Sequence, residues 1–174
     1  MTSKRPNKRR CAHFSPLAAL AVGLLLIGLV AWLCWPVAVT QLTLNATQPI
    51  VCRFSAQTWR LTWLHSVEKT PWSETYQRQG QQLRLISTEF KSFGAGTPSS
   101  GTLLPAPPGY VAYAVNVDLP ELNWVVSRRV RSTLRLGEQA WPLFEWVPDY
   151  TEAHFVSTSA PRWRTLTKDF CHEQ

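Results

Sequence analysis

The pattern of hydrophobic positions divides the chain into two parts. No Asp, Glu, Lys or Arg occurs between Cys11 and Val51, and the apolar centre of this segment runs from Leu17 to Trp35. As a helix that rises about 1.5 Å per residue, this run would reach roughly 28 Å, close to the hydrocarbon thickness of a bilayer. The pattern predicts one transmembrane helix over residues 15–36.

After Pro36 apolar and polar residues alternate, which is typical of half-buried strands. The alternation is clearest at residues 41–44, 59–63, 83–85 and 134–136, and turn-forming residues separate these segments. No stretch after residue 40 sustains an apolar stripe over three helical turns. The fold class is therefore predicted to be all-β, with a small β-sandwich or barrel of about seven to nine strands over residues 41–174.

The longest interruption of this pattern is the segment 92–110, in which Gly, Pro and Ser make up much of the composition. Loops of this length in a compact domain are usually functional or disordered. The segment is therefore a candidate working surface.

The charge distribution predicts the orientation in the membrane. The net charge is +7, and five basic residues lie within the first ten: Lys4, Arg5, Lys8, Arg9 and Arg10. Basic residues before a membrane helix favour a cytoplasmic N-terminus. We therefore expect a basic cytoplasmic arm over residues 1–14, a single-pass anchor in the lipid bilayer, and a domain on the far side of that membrane.

Two other interpretations of the basic, apolar N-terminus are less favoured. A cleaved signal peptide has a shorter apolar core and a small-x-small exit, whereas Pro36-Val37-Ala38 begins with proline. A nucleic-acid-binding domain spreads basic residues over a folded face, whereas here the excess lies on the arm. The sequence thus predicts a retained anchor and no nucleic-acid partner.

Two of the four cysteines, Cys52 and Cys171, fall in the predicted outer domain. An oxidising compartment favours a disulfide between them, which would join the start of the domain to its end. Two unpaired thiols remain the alternative, because the distance between them cannot be deduced from sequence.

The segment 63–76, WLHSVEKTPWSETY, holds most of the candidate chemistry. Its polar candidates are His65, Ser66, Glu68, Lys69 and Glu74, with Pro71 between them. His65, Glu68 and Glu74 could contribute to a metal or ligand site, but there is no H-E-x-x-H or paired-cysteine motif, and no metal or cofactor is predicted. Ser66 and His65 are adjacent in sequence, and adjacent side chains on a strand point to opposite faces, so they cannot form a nucleophile–base pair. No G-x-S-x-G elbow is present either, so a hydrolase is not favoured.

A purely structural interpretation of the same segment is also open. Pro71 keeps Thr70 out of the helical region, so the chain is expected to bend there between two strands. In that case Glu68 and Lys69 lie at a solvated turn, Trp63 and Trp72 pack in the core, and His65 donates a hydrogen bond to the backbone.

A second candidate is the stretch Phe93-Gly94-Ala95-Gly96. Consecutive backbone N–H groups with glycine freedom can form a nest for a carboxylate or phosphate. Without a longer phosphate-binding motif, the same glycines also suit a bulge or a loop hinge.

Together HSVEKTPWSETY (65–76) and STEFKSFGAGTPS (87–99) resemble a bacterial family of small membrane-anchored proteins whose domain has no assigned function. Its members are often encoded beside the fused membrane subunit of TAXI-type TRAP transporters for organic acids. The resemblance implies an accessory subunit or assembly factor of such a transporter. Its partners would be the transporter membrane subunits and the extracytoplasmic substrate-binding protein.

Two hypotheses of different classes follow. The first is a non-enzymatic partner subunit, whose motif positions are His65, Ser66, Glu68, Lys69, Pro71, Glu74, Phe93, Gly94 and Gly96. The second is a periplasmic ligand- or metal-binding module, or an enzyme, that uses His65, Glu68 and Glu74. The second requires these three side chains to converge in one pocket.

Overall fold

The structure is a computed structural model that describes residues 16–166 and 171–173. The predicted basic arm, 1–14, lies outside the described residues. Helix α1 spans Pro16–Cys34 and buries none of its side chains. By length and composition it is able to cross a membrane, as the hydrophobic pattern predicts.

The rest of the described chain is a β-sandwich, which confirms the predicted fold class. The five-stranded sheet has the order β12 (Cys171–Glu173), β2 (Ile50–Phe54), β1 (Pro36–Leu44), β11 (Glu152–Pro161), β8 (Glu121–Val125). The seven-stranded sheet has the order β10 (Gln139–Pro142), β9 (Thr133–Leu136), β3 (Thr58–Leu64), β4 (Pro71–Gln79), β5 (Gln82–Phe90), β7 (Val111–Leu119), β6 (Thr102–Leu104). A short α2 (Leu143–Trp146) and a 3-10 turn (Arg162–Thr165) complete the described elements.

The predicted number of strands and the predicted start of the domain are both wrong. The described residues form twelve strands, several of them only three or four residues long, too short to show a period. Strand β1 starts at Pro36 instead of residue 41, since Val37 and Val39 already pair with β11. Residues 36–39 are all Pro, Val or Ala, so this end of the strand shows no alternation. The predicted loop 92–110 likewise contains β6, which pairs with β7.

Aromatic side chains join the two sheets. Trp59 of β3 lies between Tyr76 of β4 and Phe155 of β11, with ring centroids 4.5 and 4.7 Å away. Phe54 of β2 meets the same ring edge-on at 6.0 Å. Stacked and edge-on rings bury large apolar areas in favourable geometry. This aromatic stack is therefore the centre of the sandwich core.

A disulfide joins Cys52 to Cys171. The two cysteines are direct cross-strand partners in β2 and β12. The bond therefore attaches the C-terminal strand to the edge of the five-stranded sheet. Of the two alternatives that the sequence left open, the structure has the paired form.

Candidate functional site

The first motif forms a hairpin between β3 and β4, with the bend that Pro71 predicts. Trp63 and Trp72 are cross-strand partners, and Pro71 is the first residue of β4. The turn is closed by the His65 amide, which donates to the Thr70 carbonyl at 2.8 Å, and by the Lys69 amide, which donates to the His65 carbonyl at 3.0 Å. Lys69 has a φ of 57°, in the left-handed region, and its Nζ donates to the Ser66 carbonyl. Ser66 thus contributes a backbone group to the turn.

Glu68 connects this turn to the second motif. Its carboxylate lies directly over Gly94, where a Cβ would overlap it. Oε1 accepts a hydrogen bond from the Ala95 amide at 3.3 Å. One loop N–H therefore binds a carboxylate of the protein itself, whereas the neighbouring Gly94 N–H donates to Thr97 Oγ1 at 3.2 Å. Gly94 is required for this contact, because any side chain there would fill the space that the Glu68 carboxylate occupies.

Two further contacts define the loop. The Thr70 and Ser92 hydroxyls lie 2.9 Å apart, so the turn meets the loop a second time. The Gly94 carbonyl accepts from the Thr97 amide at 3.2 Å, which closes a four-residue turn. Gly96 has a φ of 79° at the third position of that turn, where a type II turn requires glycine. We call the joined residues 65–70 and 92–97 the turn–loop surface.

His65 lies at the inner side of this surface. Its ring stacks on Trp72 with a centroid distance of 5.3 Å. Nδ1 contacts Glu68 Oε2 and also faces the amides of Val67 and Glu68, at 3.4 and 3.3 Å. A neutral Nδ1 accepts from these amides, and a protonated Nδ1 donates to the carboxylate. The His65 ring therefore makes these contacts in place of the expected hydrogen bond from its side chain to the backbone.

Glu74 does not join His65 and Glu68. It lies in β4 opposite Leu61 and Thr88, four residues beyond the turn, which is roughly 13 Å of strand. Its carboxylate accepts a hydrogen bond from the Tyr76 hydroxyl. Burial raises the pKa of Glu74 above its ordinary value of 4.5, and the Tyr76 hydrogen bond only partly opposes this.

In the range 16–166 and at Cys171, no group of three or more His, Cys, Asp or Glu is placed to hold a metal ion.

We expect Glu74→Gln to increase the stability of the protein at neutral pH. The folded state binds the Glu74 proton more tightly than the unfolded state, because its pKa is raised from 4.5. The stability from this group is thus present below pH 4.5 and is lost as pH rises through the folded pKa. Glutamine resembles the protonated carboxyl and cannot ionise, so the variant keeps this stability as pH rises. The measurement is the thermal midpoint of both proteins from about pH 4 to pH 8.

The matched control for this prediction is Glu138→Gln, which changes an exposed glutamate in the β9–β10 turn. The difference in thermal midpoint between Glu74→Gln and wild type should increase as pH rises, while the thermal midpoint of the control follows that of wild type. A Glu74→Gln protein that is less stable than wild type at pH 8 would contradict the prediction.

Val67 and Phe93 are the apolar part of the turn–loop surface. Their exposed fractions are 68% and 61%. Phe93 packs edge-on against the buried Phe90, with ring centroids 5.2 Å apart, so it is anchored to the core. Sequence reasoning selected Phe93 but missed Val67, and it missed the Thr70–Ser92 contact. The one signal in the sequence was that Val67 and Thr70 lie inside the first motif. A contact between residues that are distant in sequence leaves no local pattern.

Part of the chain matches a family model of known proteins. Residues 60–143 match the family model described as a domain of unknown function, DUF1850. This range covers both motifs, so the predicted resemblance to a domain without assigned function is confirmed at that level. No curated protein and no solved structure matches the chain.

Proposed function

We propose that this protein is a non-enzymatic accessory subunit or assembly factor, anchored in the bacterial inner membrane, that binds its partner through the turn–loop surface. The observation that carries the proposal is the contact of Glu68 with Gly94 and Ala95. This contact holds two exposed apolar side chains, Val67 and Phe93, on a hydrogen-bonded backbone. Exposed apolar groups on an ordered support are typical of protein-binding surfaces.

Helix α1 supports the membrane part of the proposal. Its side chains are apolar and unburied, and a Cβ at Gly23 or Gly28 would meet no atom within 4 Å. Small residues allow close packing of membrane helices, so this helix suits contact with a larger helical bundle. The basic residues at positions 4–10 favour a cytoplasmic N-terminus, and the Cys52–Cys171 disulfide favours an oxidising compartment for the β-domain. The proposed location of that domain is the periplasm.

The proposed partner is a TAXI-type TRAP transporter for organic acids. The support is the resemblance of the two motifs, which the turn–loop surface brings together. In this proposal α1 contacts the transporter membrane subunits, and the β-domain presents Val67 and Phe93 to them or to the extracytoplasmic substrate-binding protein.

The test is capture of the tagged full-length protein from membranes in mild detergent, followed by mass spectrometry. We expect wild type to recover the transporter membrane subunits. The double variant Val67→Ser/Phe93→Ser should reduce this recovery about tenfold or more, since central apolar residues of an interface carry most of its binding energy. Val125→Ser, which changes an exposed valine of β8, is the matched control and should recover the partner as wild type does.

Gly94→Ala separates the surface from general folding defects. The new methyl group would displace the flexible Glu68 side chain, which costs little stability but breaks the link between turn and loop. We expect this variant to keep the thermal midpoint of wild type and to lose partner recovery. A wild-type protein that recovers only itself, or a Gly94→Ala protein that recovers the partner fully, would contradict the proposal.

A further inference from the structure

A cleft lies on the seven-stranded sheet, where Arg60 and Thr62 of β3 and Ser73 of β4 are among the residues that line it. Its volume is about 920 Å³, within the range of roughly 300–1,000 Å³ that is usual for small-molecule sites. Hydroxyl-bearing residues of β3 and β4 line it, namely Thr58, Thr62, Ser73 and Thr75. Tyr110 and Pro107, from the segment before β7, also line the cleft. Such a lining offers hydrogen-bonding groups beside an aromatic ring.

The charges of the cleft are unbalanced. Arg60, Arg131 and Arg135 line it together with Glu89, so its formal charge is positive. Arg60 and Arg135 are direct cross-strand partners in β3 and β9. Like charges in this position repel each other and destabilise a sheet. An anion between them would remove that cost.

The two arginines differ in their surroundings. Arg60 is held by Glu89, with 3.8 Å between guanidinium and carboxylate, and Glu89 also accepts a hydrogen bond from the Ser73 hydroxyl at 3.4 Å. Arg135 is exposed and has no ion-pair partner in residues 16–166 or at Cys171. The Arg60 guanidinium is thus positioned by Glu89, and the N–H donors of Arg135 are available to a ligand. Guanidinium groups bind carboxylates and phosphates through paired hydrogen bonds.

We propose that this cleft is a binding site for a small molecule that carries an oxyanion, either a carboxylate or a phosphate. Arg135 and Arg60 bind the anionic group, Glu89 positions Arg60, and the hydroxyls of β3 and β4 bind the remainder of the molecule. The site is separate from the turn–loop surface and does not depend on the proposed function. A subunit that captures no partner could still bind this ligand.

The test is calorimetric titration of the full-length protein in detergent with succinate, with inorganic phosphate and with the uncharged succinamide. We expect saturable binding of succinate or phosphate but not of succinamide, and the tighter of the two anions identifies the oxyanion. Arg135→Gln and Arg60→Gln should each weaken this binding roughly tenfold to a hundredfold, since each removes a charge-assisted hydrogen bond. Without ligand, Arg135→Gln should be at least as stable as wild type, because the opposed charge is gone.

The control is Arg84→Gln. Arg84 is already paired with Asp118, through hydrogen bonds of 2.5 and 2.8 Å, and does not line the cleft. We expect this variant to bind the anion as wild type does. The proposal is overturned if neither anion binds wild type, or if Arg84→Gln weakens binding as much as Arg135→Gln.

Discussion

Removal of the Cys52–Cys171 disulfide is expected to lower the free energy of unfolding by roughly 4 to 5 kcal/mol. The two cysteines are 119 residues apart in sequence, so the bond restricts the unfolded chain over most of the β-domain. It also holds β12, a strand of three residues that pairs with β2 at the edge of the described sheet. The measurement is chemical denaturation of the full-length protein in detergent, with and without a reducing agent, beside the double variant Cys52→Ser/Cys171→Ser.

The control for this experiment is Cys34→Ser, which removes a free cysteine. Its denaturation midpoint should fall on reduction as far as that of wild type, whereas the double variant should no longer respond to the reducing agent. An unchanged midpoint for reduced wild type would show that the bond does not stabilise the domain.

The disulfide also bears on the compartment. A loss of this size is a large part of the roughly 5 to 15 kcal/mol that stabilises a typical domain. In the reducing cytosol the bond would not persist, and the domain would be much less stable. The disulfide therefore supports the periplasmic location that is part of the proposed function.

The sequence predicted those features that depend on composition and local period. Helix α1 is set by an apolar run without charges, and β3 by the alternation at residues 59–63. The bend before Pro71 follows from the restriction that proline places on Thr70. The first residues of β1 were missed because Pro36 to Val39 continue the apolar composition of the helix, so that only pairing with β11 defines them as a strand.

Features that depend on pairing between distant residues were not predictable. Glu68 and Gly94 were both candidates, but no pattern in the sequence indicates that the carboxylate lies on that glycine. Arg60 and Arg135 become neighbours only through the register of β3 with β9. Each arginine alone resembles any exposed basic residue on a strand. The cleft therefore could not be predicted without the order of the strands in the sheet.

The β3–β4 hairpin contributes to both proposed surfaces. Its strands line the cleft, with Thr62 and Leu64 from β3 and Pro71 and Ser73 from β4. Its turn carries Val67 and Glu68. A ligand in the cleft therefore lies against the strands that position the partner-binding turn. The capture experiment, repeated with succinate or phosphate present, would measure whether the ligand changes partner recovery.

Trp59→Ala is expected to lower the free energy of unfolding by about 3 to 5 kcal/mol, because it removes the central ring of the stack that joins the two sheets. Trp59 is only 2% exposed and contacts Tyr76 and Phe155 on either side. The measurement is again the denaturation midpoint of the full-length protein. Trp163→Ala, at a tryptophan that is 47% exposed, should change the free energy of unfolding by much less.

Trp59→Phe distinguishes the loss of the ring from the loss of its polar group. Trp59 Nε1 is buried and has no hydrogen-bond partner among residues 16–166 or at Cys171, which is unfavourable for the folded state. Phenylalanine retains an aromatic ring between Tyr76 and Phe155 and removes this N–H, so we expect it to lower the free energy of unfolding by less than Trp59→Ala does. Equal losses for Trp59→Phe and Trp59→Ala would contradict this interpretation. In that case the full size of the indole, rather than an aromatic ring as such, would be what the two sheets need in order to pack.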